Sequence, residues 1–253
     1  MNLTEDDKLR LLAGRPLIFQ DVCLVYSPTL REIASVGLSN FYKDISLLLI
    51  EKPAMENKEL NEVIKKFTDF EYLLFICSLE PENKKTLESA FSLFTQDNCI
   101  ISIETENIIL GDPAEKRILT KDNFYNFQTY IGLACAMDDY TDQRIEFLDT
   151  DTPRVRELKL KMLKGRQILK EIKAKNKNEG GEISFSDLVA SLPIGTSSYT
   201  LDSVMNLSYY AFQDQLKRMG WHEEFNINTR AAMAGAKINK DKLAHWIKTM
   251  TFK

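Results

Sequence analysis

Apolar positions along the chain change period several times, and each change predicts an element. PLIFQDVCLVYSP (Pro16 to Pro28) holds two short β-rich runs around Gln20-Asp21, the pattern of a small hairpin. Beyond Pro28, the apolar positions Leu30, Ile33, Val36 or Gly37, Phe41, Ile45 and Leu48 keep helical spacing. A second helical pattern runs from Asn57 to Leu79, charged first and aromatic later, and stops at Pro81. ENKKTLESAFSLFT predicts a shorter amphipathic helix. CIISIETENIILGDP then alternates as a β-hairpin, with KRIL as a third strand. Thr120 to Met137 returns to helix, with Thr120 as N-cap.

Past residue 180 the pattern is helical. ISFSDLVASL leads into LPIGTSSY, which reads as a loop. LDSVMNLSYYAFQDQLKRMG follows as one helix, with Met205, Tyr209, Phe212, Leu216 and Met219 on one stripe and Gly220 as its stop. A short turn and helix, WHEEFNINTRAAMAGAK, and a last helix, NKDKLAHWIKTM, complete the chain. The expected fold class is α+β, mainly α-helical. An α+β domain with small hairpins spans 1–152, a basic connector helix and linker spans 153–181, and a small helical domain spans 182–253.

Charge sharpens this division. The chain carries a net −4. Residues Pro153 to Asn178 hold ten Lys and Arg against two Glu, a net +8, which leaves −12 for the remainder (−4 minus +8). Pro153 suits a helix N1 position. Val155, Leu158, Met162, Gly165, Leu169 and Ile172 repeat at 3-4-3-4-3, a narrow heptad-like seam. Three roles stay open for this helix: contact with nucleic-acid phosphates, docking onto an acidic protein surface, or a solvated connector. The absence of interleaved aromatics disfavours base recognition.

Composition bounds the function class. Hydrophobic residues are 44% and charged residues 28%, a globular balance that can bury a core. Cys23, Cys77, Cys99 and Cys135 sit in apolar runs without C-x-x-C spacing, and with two histidines they assemble no zinc set, so they read as buried thiols. The N-terminus lacks the apolar core of a secretory signal, and no apolar run reaches membrane length. The expectation is a cytoplasmic protein with no membrane contact.

Catalytic patterns are incomplete. LDTDTP (Leu148 to Pro153) carries the D-x-D-x-T of haloacid-dehalogenase-type phosphatases, with Asp149 as nucleophile and Asp151 as acid/base. It lacks the long preceding strand and the later acidic pair, and capping of the basic helix explains it better. DDYTD (Asp138 to Asp142) has no second acidic cluster with which to hold magnesium. No nucleophile elbow and no G-x-G-x-x-G is present. RAAMAGAK (Arg230 to Lys237) is not a phosphate loop, because Gly235 is followed by Ala and no glycine lies five residues before it. Its alanines favour helix, and Ala231, Ala234, Gly235, Leu243 and Trp246 form an expected packing motif.

The same tail carries a resemblance. Tyr209, Phe212 and Leu216 give Y-x-x-F-x-x-x-L. Asn226, Ile227, Ala231, Ala232, Ala234, Gly235, Ala236 and Lys237 follow, and then Leu243, His245 and Trp246. This arrangement resembles the C-termini of phage-encoded tail-assembly proteins, of the tail-assembly-chaperone or baseplate-hub-assembly kind. SPTLREIASVG and FEYLLF resemble such proteins more weakly. The resemblance covers about the last 50 residues and rests on packing residues.

It implies a non-enzymatic protein without cofactor or metal. Such a protein works in the host cytoplasm during assembly, or stays in the virion tail, by contact with tail or baseplate proteins such as a tape measure. An oligomer is left open, and nucleic acid is the lesser choice of partner. The partner-binding candidates are Met205, Tyr209, Phe212 and Leu216 on the stripe, with Arg154, Arg156, Lys159 and Lys161 on the basic helix. The stripe would cover a partner's apolar helix, unless it is core. The alternative function is a nucleic-acid-binding accessory protein using the 154–177 helix.

Overall fold

A computed structural model describes residues 4–52, 64, 66–115, 117–137, 152, 154, 183–196 and 198–237. The fold is mainly α-helical, with two small antiparallel sheets among the described residues. The chain opens with α1 (Glu5–Leu12). The hairpin expected around Gln20-Asp21 follows as β1 (Leu17–Phe19) and β2 (Cys23–Val25), with Ile18 opposite Leu24. The second expected hairpin is β3 (Cys99–Ser102) and β4 (Asn107–Leu110), and KRIL adds β5 (Ile118–Leu119).

The helical patterns hold, with their breaks elsewhere than expected. The pattern from Leu30 to Leu48 forms two helices, α2 (Leu30–Val36) and α3 (Leu38–Leu48). Gly37 separates them at φ +92, a conformation that side chains with a Cβ rarely adopt. Thr29 caps α2 in a reciprocal box with Glu32. A helix α4 (Asp69–Leu79) starts afresh behind Thr68, which exchanges the same kind of bonds with Glu71. Most of residues 57–67 lie outside the described part. Pro81 ends α4 and also opens α5 (Pro81–Thr95), where a missing N–H costs nothing. Helix α6 (Lys121–Ala134) starts where Thr120 predicts.

Two stops in the C-terminal part differ from expectation. Helix α7 (Phe185–Gly195) continues through LPIG with Pro193 inside it, although proline lacks the N–H that would bond to Val189 O. Two helices, α8 (Leu201–Met205) and α9 (Tyr209–Met233), replace the single one expected, with Ser208 capping the second. Gly220 does not stop α9. It keeps a negative φ, at a cost of about 1 kcal/mol relative to alanine. The positive φ that ends the helix belongs to Gly235, at +90.

One buried core joins these elements. Phe91 stacks on Phe127 and Phe41 on Phe94, and Phe19 meets Phe127 edge-on. Val189, Leu192, Val204, Tyr210 and Phe212 belong to this same core, although they come from the segment expected as a separate domain at 182–253.

The N-termini of α2 and α9 are also stitched together. The Leu30 N–H donates to Leu207 O at 3.0 Å, and the Tyr209 N–H to Pro28 O at 2.7 Å. The Tyr210 N–H reaches Ser27 Oγ at 2.9 Å. Buried Ser208 caps the Ala211 N–H and donates to Leu11 O. At the rim, Arg31 pairs with Asp202 at 2.6 Å and with Asn206.

The three-stranded sheet is pinned by a fork. Arg117 binds both oxygens of Asp97, at 2.8 and 3.1 Å, and pairs with Glu115. Gly111, at φ +68, lies directly beneath that guanidinium, where a Cβ would collide with it. Gly111→Ala is therefore expected to lower stability by roughly 1–3 kcal/mol, through backbone strain and a displaced Arg117. Urea unfolding of the variant against the parent checks this, and an unchanged midpoint would contradict it.

Candidate functional site

Between α3 and α5 runs a groove of about 900 Å³. Its polar lining includes Ser39, Asn40, Ser46, Asn83, Thr86 and Ser89, with Lys43, Glu82 and Lys85 beside them. Most of the polar lining is occupied locally. Asn40 donates to Val36 O, Ser46 to Tyr42 O, and Thr86 to Glu82 O, as side chains on a helix do when they turn back on the preceding turn.

Asp44 also lines this groove and is 2% exposed. It shares the inward face of α3 with Phe41, Ile45 and Leu48, at helical spacing. Its Oδ2 is buried with no hydrogen-bond partner in the structure. The other polar side chains buried to this degree among the described residues are bonded, while Asn107 Oδ1, Arg117 Nε and Thr229 Oγ1, on half-buried residues, are further buried atoms without a hydrogen-bond partner. Gln128 donates to Leu48 O and Ile50 O, closing the end of α3, and Asp214 accepts from Arg218 at 2.7 Å. Thr95, Thr129 and Ser208 bond to main-chain carbonyls. Burial without compensation pushes the Asp44 carboxyl up to about 6. Sequence reasoning missed this residue. The available signal was an acidic side chain three residues after Phe41 and four before Leu48, on the apolar face of a predicted helix.

The stripe residues lie differently from a free binding surface. Phe212 is 0% exposed, and its ring meets Phe185 edge-on at 5.6 Å. Tyr209 packs between Phe41 and Phe185. Met205 and Leu216 are half-buried against the same core, and Met219 lies against Gly195, which has no Cβ to obstruct it. The stripe is thus taken up within the chain, for the physical reason that α9 needs an apolar face to dock on the N-terminal elements.

Of the basic candidates, Arg154 is helical and exposed, while Arg156, Lys159 and Lys161 lie outside the described residues. In the packing motif, Ala231 is half-buried and Ala234 and Gly235 are exposed; Leu243 and Trp246 lie outside the described residues. No atom would lie within 4 Å of a Cβ at Gly235, so backbone conformation and not crowding calls for glycine there. Asp149, Asp151 and the Asp138–Asp142 cluster also fall outside. Among the described residues, no group of His, Cys, Asp and Glu is placed to hold a metal ion, and no helix is long and apolar enough to cross a membrane.

The cysteines are thiols, with Cys23, Cys77 and Cys135 buried. Burial raises Cys23 and Cys99 to about 12 and Cys77 to about 11, and Cys135 rises as well. Thiols held this far from ionisation are poor nucleophiles and metal ligands.

Comparison with known proteins adds one match. Residues 174–251 match the family described as the YomV second domain, a phage-derived family whose namesake comes from a Bacillus prophage. The match takes in α7, α8 and α9 and begins inside the basic segment. It overlaps the tail that resembles phage assembly proteins, and it associates the chain with phage without specifying a tail role. No curated protein and no solved structure matches the chain.

Proposed function

We propose that this chain is a non-enzymatic phage tail or baseplate assembly protein that acts by protein–protein contact. The observation that carries the reading is the match of residues 174–251 to a phage-derived domain family. Further support comes from the surface. Ile18 and Leu24 form an exposed cross-strand pair on the first hairpin, and Leu79, Ile194 and Leu201 are also exposed. A contiguous apolar pair such as Ile18 and Leu24 suits a contact between proteins, whereas apolar residues scattered singly are ordinary surface. The partners proposed are other tail or baseplate proteins, such as a tape measure. The basic side chains Arg154, Arg156, Lys159 and Lys161 would dock on an acidic partner surface, and no cofactor is required.

Interrupting the gene in a phage that carries it tests the role. Heads should accumulate with missing or incomplete tails in electron micrographs, and supplying the chain in trans should restore them. Normally tailed, infectious particles made without the protein would end the proposal. The net +8 of residues 153–178 supports a second reading as a nucleic-acid-binding accessory protein. That reading expects DNA or RNA retardation that weakens steeply with salt, and absence of retardation at low salt would exclude it.

A further inference from the structure

We propose that the α3–α5 groove binds an ammonium or guanidinium group, with Asp44 as its counter-ion. The inference stands apart from the assembly role, because it rests on the groove alone. An aspartate only 2% exposed, with one carboxyl oxygen buried and unpartnered, is an unfavourable arrangement that folding alone would remove, by an apolar side chain or by a partner such as Arg218 gives Asp214. Asp44 lines an open groove and not a sealed void, so its carboxyl, whose Oδ2 is buried at rest, meets a partner from outside by turning toward that groove.

The chemistry of the lining selects the ligand. A metal ion needs several oxygen ligands, and the groove holds one buried carboxylate with no histidine or cysteine. A single cationic nitrogen needs one carboxylate and a few neutral acceptors, and the hydroxyls of Ser39, Ser46, Thr86 and Ser89 line the same walls.

The charged groups facing the groove are Lys43, Asp44, Glu82 and Lys85, and Tyr42 is the further titratable side chain there. With both acids ionised, these charges cancel, so attraction is local to Asp44. Protonating Asp44 leaves the lining net positive and turns attraction into repulsion. Binding should therefore weaken as pH falls through the raised Asp44 range near 6.

Isothermal titration of the intact chain tests this with three probes: agmatine, the capped peptide acetyl-Gly-Arg-Gly-amide, and its citrulline counterpart, which is uncharged. Saturable binding of agmatine or the arginine peptide at neutral pH is expected, with at least a tenfold loss for citrulline and a comparable loss at about pH 5. The tighter of the two cationic probes identifies the source as a free amine or a polypeptide side chain. Asp44→Asn should abolish the binding while the far-ultraviolet circular dichroism stays that of the parent. Absence of saturable binding to either cation, equal binding of citrulline, or undiminished binding by a folded Asp44→Asn variant would each overturn the proposal. Glu82→Gln, at the same groove, should bind within a fewfold of the parent, and a loss there as large as in Asp44→Asn would also contradict Asp44 as the counter-ion.

Discussion

Asp44→Asn is expected to raise stability at neutral pH by on the order of 3 kcal/mol, an unusual sign for a change at a buried position. The sign follows from the raised carboxyl. Below the ordinary aspartate value of 3.8, Asp44 is protonated in both the folded and the unfolded chain and costs nothing electrostatically. Between 3.8 and about 6 the folded chain holds the proton more tightly, so stability falls as pH rises. Above about 6 the full cost of a buried charge is present, about 3 kcal/mol for a carboxyl raised from 3.8 to about 6. Asparagine carries no charge to bury, so the variant should gain most at neutral pH and least in acid. Urea unfolding across that range, without added amines, checks it. A variant that loses stability at neutral pH, or one that keeps the parent's slope between 3.8 and 6, would contradict the account.

Phe212→Ala should cost roughly 3–5 kcal/mol, the range for removing a buried aromatic ring that leaves a cavity. The ring is fully buried, and it meets Phe185 of α7 within the core that the α7–α9 segment shares with the N-terminal elements. The loss should spread beyond its own helix. Because α2 and α9 exchange main-chain hydrogen bonds at their N-termini, amides in α3 and α6 should lose hydrogen-exchange protection together with those in α9. Faster exchange confined to α7, α8 and α9 would show instead that the C-terminal segment opens as an independent unit.

The elements were legible wherever local chemistry decides them. Both hairpins, the third strand and the α6 start follow from alternation and capping residues, which act within a few positions. Breaks set by tertiary context were harder to place. Gly37 and Gly220 look alike in sequence, yet Gly37 adopts φ +92 and divides a helix, while Gly220 is carried through α9. Thr68 begins a helix inside a continuous helical pattern because its capping box with Glu71 outweighs periodicity. The stripe through Tyr209, Phe212 and Leu216 was visible, but periodicity does not say whether a helix face meets its own chain or another. Packing against Phe41 and Phe185 decides that. Asp44 shows the converse. Its position on an apolar face is written in the sequence, whereas its lack of a partner depends on what α5 brings opposite, and no local pattern records that.

On the proposed reading the chain works by contact with tail proteins. The most direct measurement is mass spectrometry of proteins recovered with an affinity-tagged copy from cells producing the phage, after nuclease treatment. Enrichment of tail or baseplate components over an untagged control is expected. Recovery of none of them, with the chain also absent from assembled particles, would contradict it.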